Sequence, residues 1–176
     1  MTLAERCSHI DLLLLDVDGV LTGGEIIYSD DGREWKQFHV RDGSALKFWH
    51  LAGKRAAILS GRTSQIVEVR AKEVGIALVM QGAGDKLAAF RELLERTGVH
   101  PQRVCYIGDD LPDLPVLGHC GLAIAVADAC PEVMAAAHYV TRAAGGRGAV
   151  REAVELILRS QGHWAGIVER YRNEDR

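Results

Sequence analysis

Leu12-Leu13-Leu14-Leu15-Asp16-Val17-Asp18-Gly19-Val20-Leu21-Thr22 is the stretch on which the reading of this chain turns. An apolar run stops at a carboxylate, and a second carboxylate follows two positions on, before a glycine. Such a run, without alternation, marks a strand buried on both faces. Two acids at its end put charge at the lip of a core, which is costly unless a partner or metal compensates. Residues i and i+2 of a strand share one face, so Asp16 and Asp18 would enter a single pocket if the extended conformation persists. Asp-Gly is also a common turn pair, so the alternative for the stretch alone is a strand that simply runs into a polar turn.

Outward from this stretch, apolar strands alternate with helical periodicity. Further strands are expected at 55–59, 77–80, 104–107, 122–126 and 138–140, the first covering 10–17. Helices are expected at 44–51, 64–74, 86–97, 131–136 and 148–158, the third with Leu87, Phe90, Leu93 and Leu94 as its apolar stripe. Continuous apolar strands separated by helices predict a doubly wound, Rossmann-like α/β domain, a parallel sheet with helices on both faces. Ligands of such sheets bind beyond the carboxyl ends of the strands. One segment breaks the alternation: two extended runs around Ser29-Asp30-Asp31-Gly32 predict a β-hairpin over 24–40, directly after the first strand. The tail, 161–176, reads as irregular or loosely helical.

Composition narrows the class. At 176 residues, 48% hydrophobic and 26% charged, the chain is expected to be one globular domain, 1–176. A net charge of -3 without a clustered basic face argues against a nucleic-acid partner. Segment 1–9 lacks the long apolar stretch of a signal peptide, and no window approaches the roughly 18 apolar residues of a membrane span. A cytoplasmic protein without membrane attachment is the expectation. Cys7, Cys105, Cys120 and Cys130 show no CxxC spacing and read as free thiols.

Three further motifs stand after apolar runs. Ser60-Gly61-Arg62-Thr63 puts a hydroxyl and free backbone N–H groups before a helix, a fit for a phosphate oxygen as well as for an ordinary serine cap. Lys86 opens the third helix, the end where the macrodipole favours anions; either it answers a nearby negative charge or it is a solvated surface lysine. Gly108-Asp109-Asp110-Leu111-Pro112-Asp113 crowds three carboxylates that repel one another unless a cation is present. Oxygen-only ligands favour Mg²⁺ over zinc, and the spacing is not that of an EF-hand; a bland acidic turn is the alternative. Together the strand ends present a nucleophile, anion binders and a hard-metal site, the parts of phosphoryl transfer.

In this order the motifs resemble those of the haloacid dehalogenase superfamily of aspartate-dependent phosphatases. Segments 16–22, 38–43 and 108–110, with His138 to Arg142 and the glycine-rich 145–152, resemble more closely the 3-deoxy-D-manno-octulosonate 8-phosphate (KDO 8-phosphate) phosphatases. The resemblance implies that Asp16 is the nucleophile that becomes phosphorylated and that Asp18 is the acid and then the base. It implies Mg²⁺ on Asp16, the backbone carbonyl of Asp18 and Asp109, with Asp110 and Asp113 completing or orienting the shell. Ser60, Gly61 and Lys86 would hold the phosphoryl group, and Arg62, Arg41 and Arg147 are candidates for the substrate carboxylate, each equally a structural salt bridge. The family's cap domain has no room here, since the first gap holds only the hairpin. The resemblance therefore implies a homotetramer whose neighbours close the site. The implied substrate is KDO 8-phosphate, in lipopolysaccharide precursor synthesis, with a nine-carbon sugar acid such as 2-keto-3-deoxynononate 9-phosphate as the alternative. A phospho-accepting receiver domain is a different class of reading, and Asp18, a built-in acid/base, argues against it.

Overall fold

The four leucines Leu12–Leu15 form β1, and none of them is measurably exposed beyond 1%. In a computed structural model, which describes residues 1–173, β1 lies inside a six-stranded parallel sheet. The other strands are β4 (Arg55–Leu59), β5 (Leu78–Met80), β6 (Val104–Gly108), β7 (Leu122–Ala125) and β8 (Tyr139–Val140). Their spatial order is β5-β4-β1-β6-β7-β8. Burial of each such leucine is worth roughly 1.5–3 kcal/mol, which is why a tetraleucine run sits at the middle of the sheet and not at an edge.

The connecting helices are α2 (Val40–Leu51), α3 (Gln65–Glu73), α4 (Lys86–Thr97), α5 (Leu114–Leu117), α6 (Pro131–Ala136) and α7 (Ala149–Ser160). From β1 the chain winds one way through β4 to β5, then crosses back to β6 and winds the other way to β8. Right-handed crossovers therefore put α2 and α3 on one face of the sheet and α4, α5 and α6 on the other. The reversal falls between β1 and β6, which pair in register from Leu12 with Val104 to Leu15 with Ile107. That is the topological switch point, the place where such sheets bind ligands. α7 buries Val150, Ala153, Val154, Ile157 and Leu158 and packs against α2.

The hairpin is present but short: β2 (Ile27–Tyr28) pairs antiparallel with β3 (Glu34–Trp35). The expected extended run to Val40 is cut off because α2 begins there, four residues before the predicted start. Asp42, one of its first-turn residues, accepts N–H bonds from Gly148 (3.1 Å) and Arg151 (2.8 Å), so α2's early turns are secured by α7. Two helices were not anticipated in the sequence. α1 (Leu3–Ser8) is too short to show periodicity, and rests on a capping box between Thr2 and Glu5. α5 is a single turn. Of the two readings of the tail, irregular or loosely helical, the helical one holds over α8 (Trp164–Asn173), which packs Trp164 and Tyr171 edge-on against Phe48 of α2. Tail residues 174–176 lie outside the described residues. Cys7, Cys105, Cys120 and Cys130 are free. Among the described residues no helix is long and apolar enough to cross a membrane.

Candidate active site

β1 ends at Leu15, and the backbone turns at once: the N–H groups of Val20, Leu21 and Thr22 all reach the carbonyl of Val17. The strand conformation that would put Asp16 and Asp18 on one face does not persist. Instead the turn aims the two carboxylates at different partners. The Asp16 carboxylate accepts from the Val17 N–H and, at 2.7 Å, from the ammonium of Lys86. Asp18 turns toward the hairpin, pairing with Lys36 and lying 3.7 Å from the Arg62 guanidinium.

Gly19 permits this turn. Its φ is +90°, and a Cβ there would lie 2.1 Å from Asp109 Oδ2. The glycine-rich segment backs the same loop: a Cβ on Gly146, at φ +60°, would stand 2.4 Å from the carbonyl carbon of Thr22, and Gly146 N–H donates to the Val20 carbonyl. The segment is thus a close backbone contact beneath the Asp16 turn rather than a loose tether.

Asp16, Ser60, Gly61, Arg62, Lys86, Asp109, Asp110, Asp113 and Asp18 line one cleft of about 420 Å³ beyond the strand ends. Asp16, Lys86, Ser60 and Asp113 are buried, Asp109 is half-buried, and Asp110 is exposed at the rim. Lys86 is the first residue of α4, whose cap is Asp85; it bridges Asp16 and Asp113 at 2.7 and 2.6 Å, so it does answer negative charge. Arg41 and Arg147 are elsewhere. The tie from Asp42 to Gly148 sets the first turns of α2 and α7 side by side, and both arginines line a separate cavity of about 390 Å³ with Arg142 and Arg151.

The acids are under electrostatic strain. Burial raises the Asp16 carboxyl, and the neighbouring Asp113 charge adds to this against the pull of Lys86, leaving it at about 6. Burial, then the charges of Asp16 and Asp113, push Asp109 up to about 7. Oxygens of Asp16, Asp109 and Asp113 lie within 4.8 Å of one another, the grouping that could hold a metal ion. Asp113 is already saturated: Oδ1 accepts from Lys86 and the Tyr106 hydroxyl (both 2.6 Å), and Oδ2 from the Asp109 and Asp110 N–H groups. Asp109 Oδ1, by contrast, is buried with no hydrogen-bond partner. The Asp18 carbonyl likewise accepts no hydrogen bond among the described residues. An oxygen-only set with a buried unpartnered carboxylate oxygen fits a small hard dication. Lys36 and Tyr106 contribute to this site without having been singled out in the sequence; each is one residue of its type inside a strand-like run, with no motif around it.

A buried aspartate at a switch point, an ammonium bridge and a carboxylate group that could hold a cation fit a haloacid dehalogenase-like hydrolase, and the family model of that description matches residues 54–153. The 3-deoxy-D-manno-octulosonate 8-phosphate phosphatases KdsC of Yersinia pestis and of Escherichia coli (strain K12) are each 47% identical over 157 residues, 89% of this chain and 84% of theirs. The chain belongs to this phosphatase family. Among solved structures, the 3-deoxy-D-manno-octulosonate 8-phosphate phosphatase of Moraxella catarrhalis, in complex with a magnesium ion, a phosphate ion and KDO, superposes with a TM-score of 0.93 at 41% identity, covering 96% of this chain and 97% of that one. The cobalt-bound enzyme of Haemophilus influenzae gives 0.86 at 41% identity, over 89% and 92% of the two chains.

Proposed function

We propose that the protein is a Mg²⁺-dependent phosphomonoesterase that hydrolyses KDO 8-phosphate to KDO and phosphate, a step of lipopolysaccharide precursor synthesis. The observation that carries this is the convergence of Asp16, Ser60, Lys86 and Asp109 on one cleft at the switch point. The magnesium, phosphate and KDO held by the Moraxella catarrhalis relative support the choice of substrate and ion.

Asp16 attacks phosphorus, forming a bond to one carboxylate oxygen while the bond from phosphorus to the sugar oxygen breaks. Asp18 gives that oxygen a proton, then takes one from the water that frees phosphate from Asp16. Ser60, with Gly61 beside it, and Lys86 hold the transferring group; Lys86 supplies positive charge that is already buried and fixed, so no solvent must reorganise. Asp16, the Asp18 carbonyl and Asp109 would hold the Mg²⁺, with Asp113 orienting the loop and Asp110 at its edge. The ion supplies charge neutralisation for the phosphoryl oxygens.

The cleft opens to solvent, and the hairpin beside it exposes Ile27, Tyr28 and Trp35, the last at 61%. Exposed apolar groups in a cluster favour a protein partner. They support a protein partner at the hairpin, and the partner we propose is the chain itself, in a cytoplasmic homotetramer in which hairpins and tails of neighbours cover the site. Arg62 then meets the sugar-acid carboxylate within the chain, and Arg41 and Arg147 would do so from a neighbour. Light scattering reads the assembly.

Phosphate release from KDO 8-phosphate and from the nine-carbon ester, with Mg²⁺ and with chelator, tests the reading. The eight-carbon ester should be preferred, chelator should stop turnover, and Asp16→Asn should abolish it with the fold intact. Preference for the nine-carbon ester, or wild-type activity in Asp16→Asn, refutes it.

A further inference from the structure

The Lys36 side chain, on the hairpin, is closed off from solvent. Its neighbour Trp35 is 61% exposed, yet the Lys36 side chain is 1% exposed. Lysine is among the residues least often buried without a partner, so the burial calls for compensating charge. Two carboxylates supply it: Lys36 pairs with Asp18 Oδ1, and lies 3.4 Å from Glu34 of β3. Arg62 ties the same corner, its Nη2 3.3 Å from both Glu34 Oε1 and the Tyr28 hydroxyl. The hairpin is therefore fastened to the acid of the reaction through one ammonium.

The two oxygens of Asp18 are made unequal by this contact. Oδ1 is engaged by the Lys36 ammonium, while Oδ2 is buried with no hydrogen-bond partner and has the Arg62 Nε 3.7 Å away. We propose that Lys36 is a positioning residue for leaving-group protonation: by engaging Oδ1 it leaves Oδ2 as the oxygen that serves the reacting group. In the step concerned, an Asp16 oxygen bonds to phosphorus and the bond from phosphorus to the substrate oxygen breaks. The electron pair stays on that oxygen, which takes the proton from Asp18 Oδ2. The proposal rests on the acid role of Asp18 given above and extends it to the hairpin.

The test compares kcat/KM for three esters: KDO 8-phosphate, arabinose 5-phosphate, which has a poor alkoxide leaving group and no carboxylate, and p-nitrophenyl phosphate, whose leaving group departs without a proton. Asp18→Asn should lower both sugar esters about 100-fold or more relative to the aryl ester, the scale of general acid catalysis. Lys36→Met should lower both about tenfold relative to the aryl ester, and Lys36→Arg, which keeps a cation, should recover most of that. Equal losses on all three esters mean a structural role and overturn the proposal. Loss confined to KDO 8-phosphate assigns Lys36 to the substrate carboxylate and overturns it too. If Lys36→Met does not fold, Lys36→Gln carries the same ratios. Should wild type ignore KDO 8-phosphate, the proposed substrate fails while the other two esters still decide the role of Lys36. A selective loss in Asp18→Asn without one in Lys36→Met sinks this inference alone.

Discussion

The ammonium of Lys86 lies 2.7 Å from Asp16 Oδ2, joining positions 70 residues apart in the chain beneath the surface of the cleft. Burial opposes the Lys86 charge, but Asp16 and Asp113 outweigh it and raise its proton affinity. One buried cation thus offsets two carboxylates, and Asp109 stands beside them.

Removing it leaves those acids uncompensated. Lys86→Met should cost about 3 kcal/mol of stability, the scale for breaking a buried ion pair, and should cut kcat at least about 100-fold. Urea denaturation and phosphate release are the measurements; a variant as stable as wild type would show that the triad is balanced without its lysine.

Metal binding should report the raised carboxyls. Asp16 at about 6 and Asp109 at about 7 bind protons more tightly in the folded chain than in the unfolded one. Their contribution to stability is present at low pH and lost as pH rises through those values. Mg²⁺ compensates the ionised pair, so the gain in Tm on adding it should be larger at pH 8 than at pH 5.5. Thermal melts at the two pH values check this, and an equal or reversed gain counts against Asp16 and Asp109 as ligands.

Gly146 should be intolerant of a methyl group. A Cβ would collide with the Thr22 and Gly23 backbone at 2.4 and 2.5 Å, and φ is positive as well. Gly146→Ala should therefore lose about 2 kcal/mol or more and lower kcat by displacing the Asp16 turn. Melting curves and kinetics of Gly146→Ala beside Gly166→Ala, where a Cβ meets nothing within 4 Å, separate this from a general glycine effect.

Glu152 predicts an acid limb. Burial works to raise its carboxyl, but hydrogen bonds from the Tyr139 hydroxyl (2.7 Å) and from the Arg142 and Ala143 N–H groups outweigh this and hold it below the usual carboxylate range. A depressed carboxyl contributes stability above its unfolded pKa that is lost as pH falls through the folded value. Glu152→Gln should be less stable than wild type at pH 7, and the gap should close toward pH 3; a gap independent of pH would show that the charge is immaterial.

The parallel sheet was legible because Leu12–Leu15 and the runs at 55–59, 104–107 and 122–126 admit no other burial pattern, and the helical stripe of Leu87, Phe90 and Leu93 separates them. The positions of Asp16 and Asp109 were legible because charge placed directly after such runs must lie at the end of the sheet; Lys86, which opens a helix, was open to a surface reading until its partners were seen. α1 and α5 escaped because one or two turns do not display a period, and the tail stayed open between irregular and helical because the apolar contacts of α8 are with Phe48, far away in the chain.

What the sequence determined by itself is local in origin: which segments are apolar enough to be strands, and which acids, hydroxyls and amines follow them. Tertiary structure alone decided the pairings. It turned Asp18 from Asp16 toward Lys36, saturated Asp113 with donors while leaving Asp109 Oδ1 bare, and sent Arg41 and Arg147 to a cavity apart from Asp16. Side-chain direction after a strand depends on the turn that follows, and that turn is set by backbone contacts such as Gly146 against Thr22, which no local pattern records.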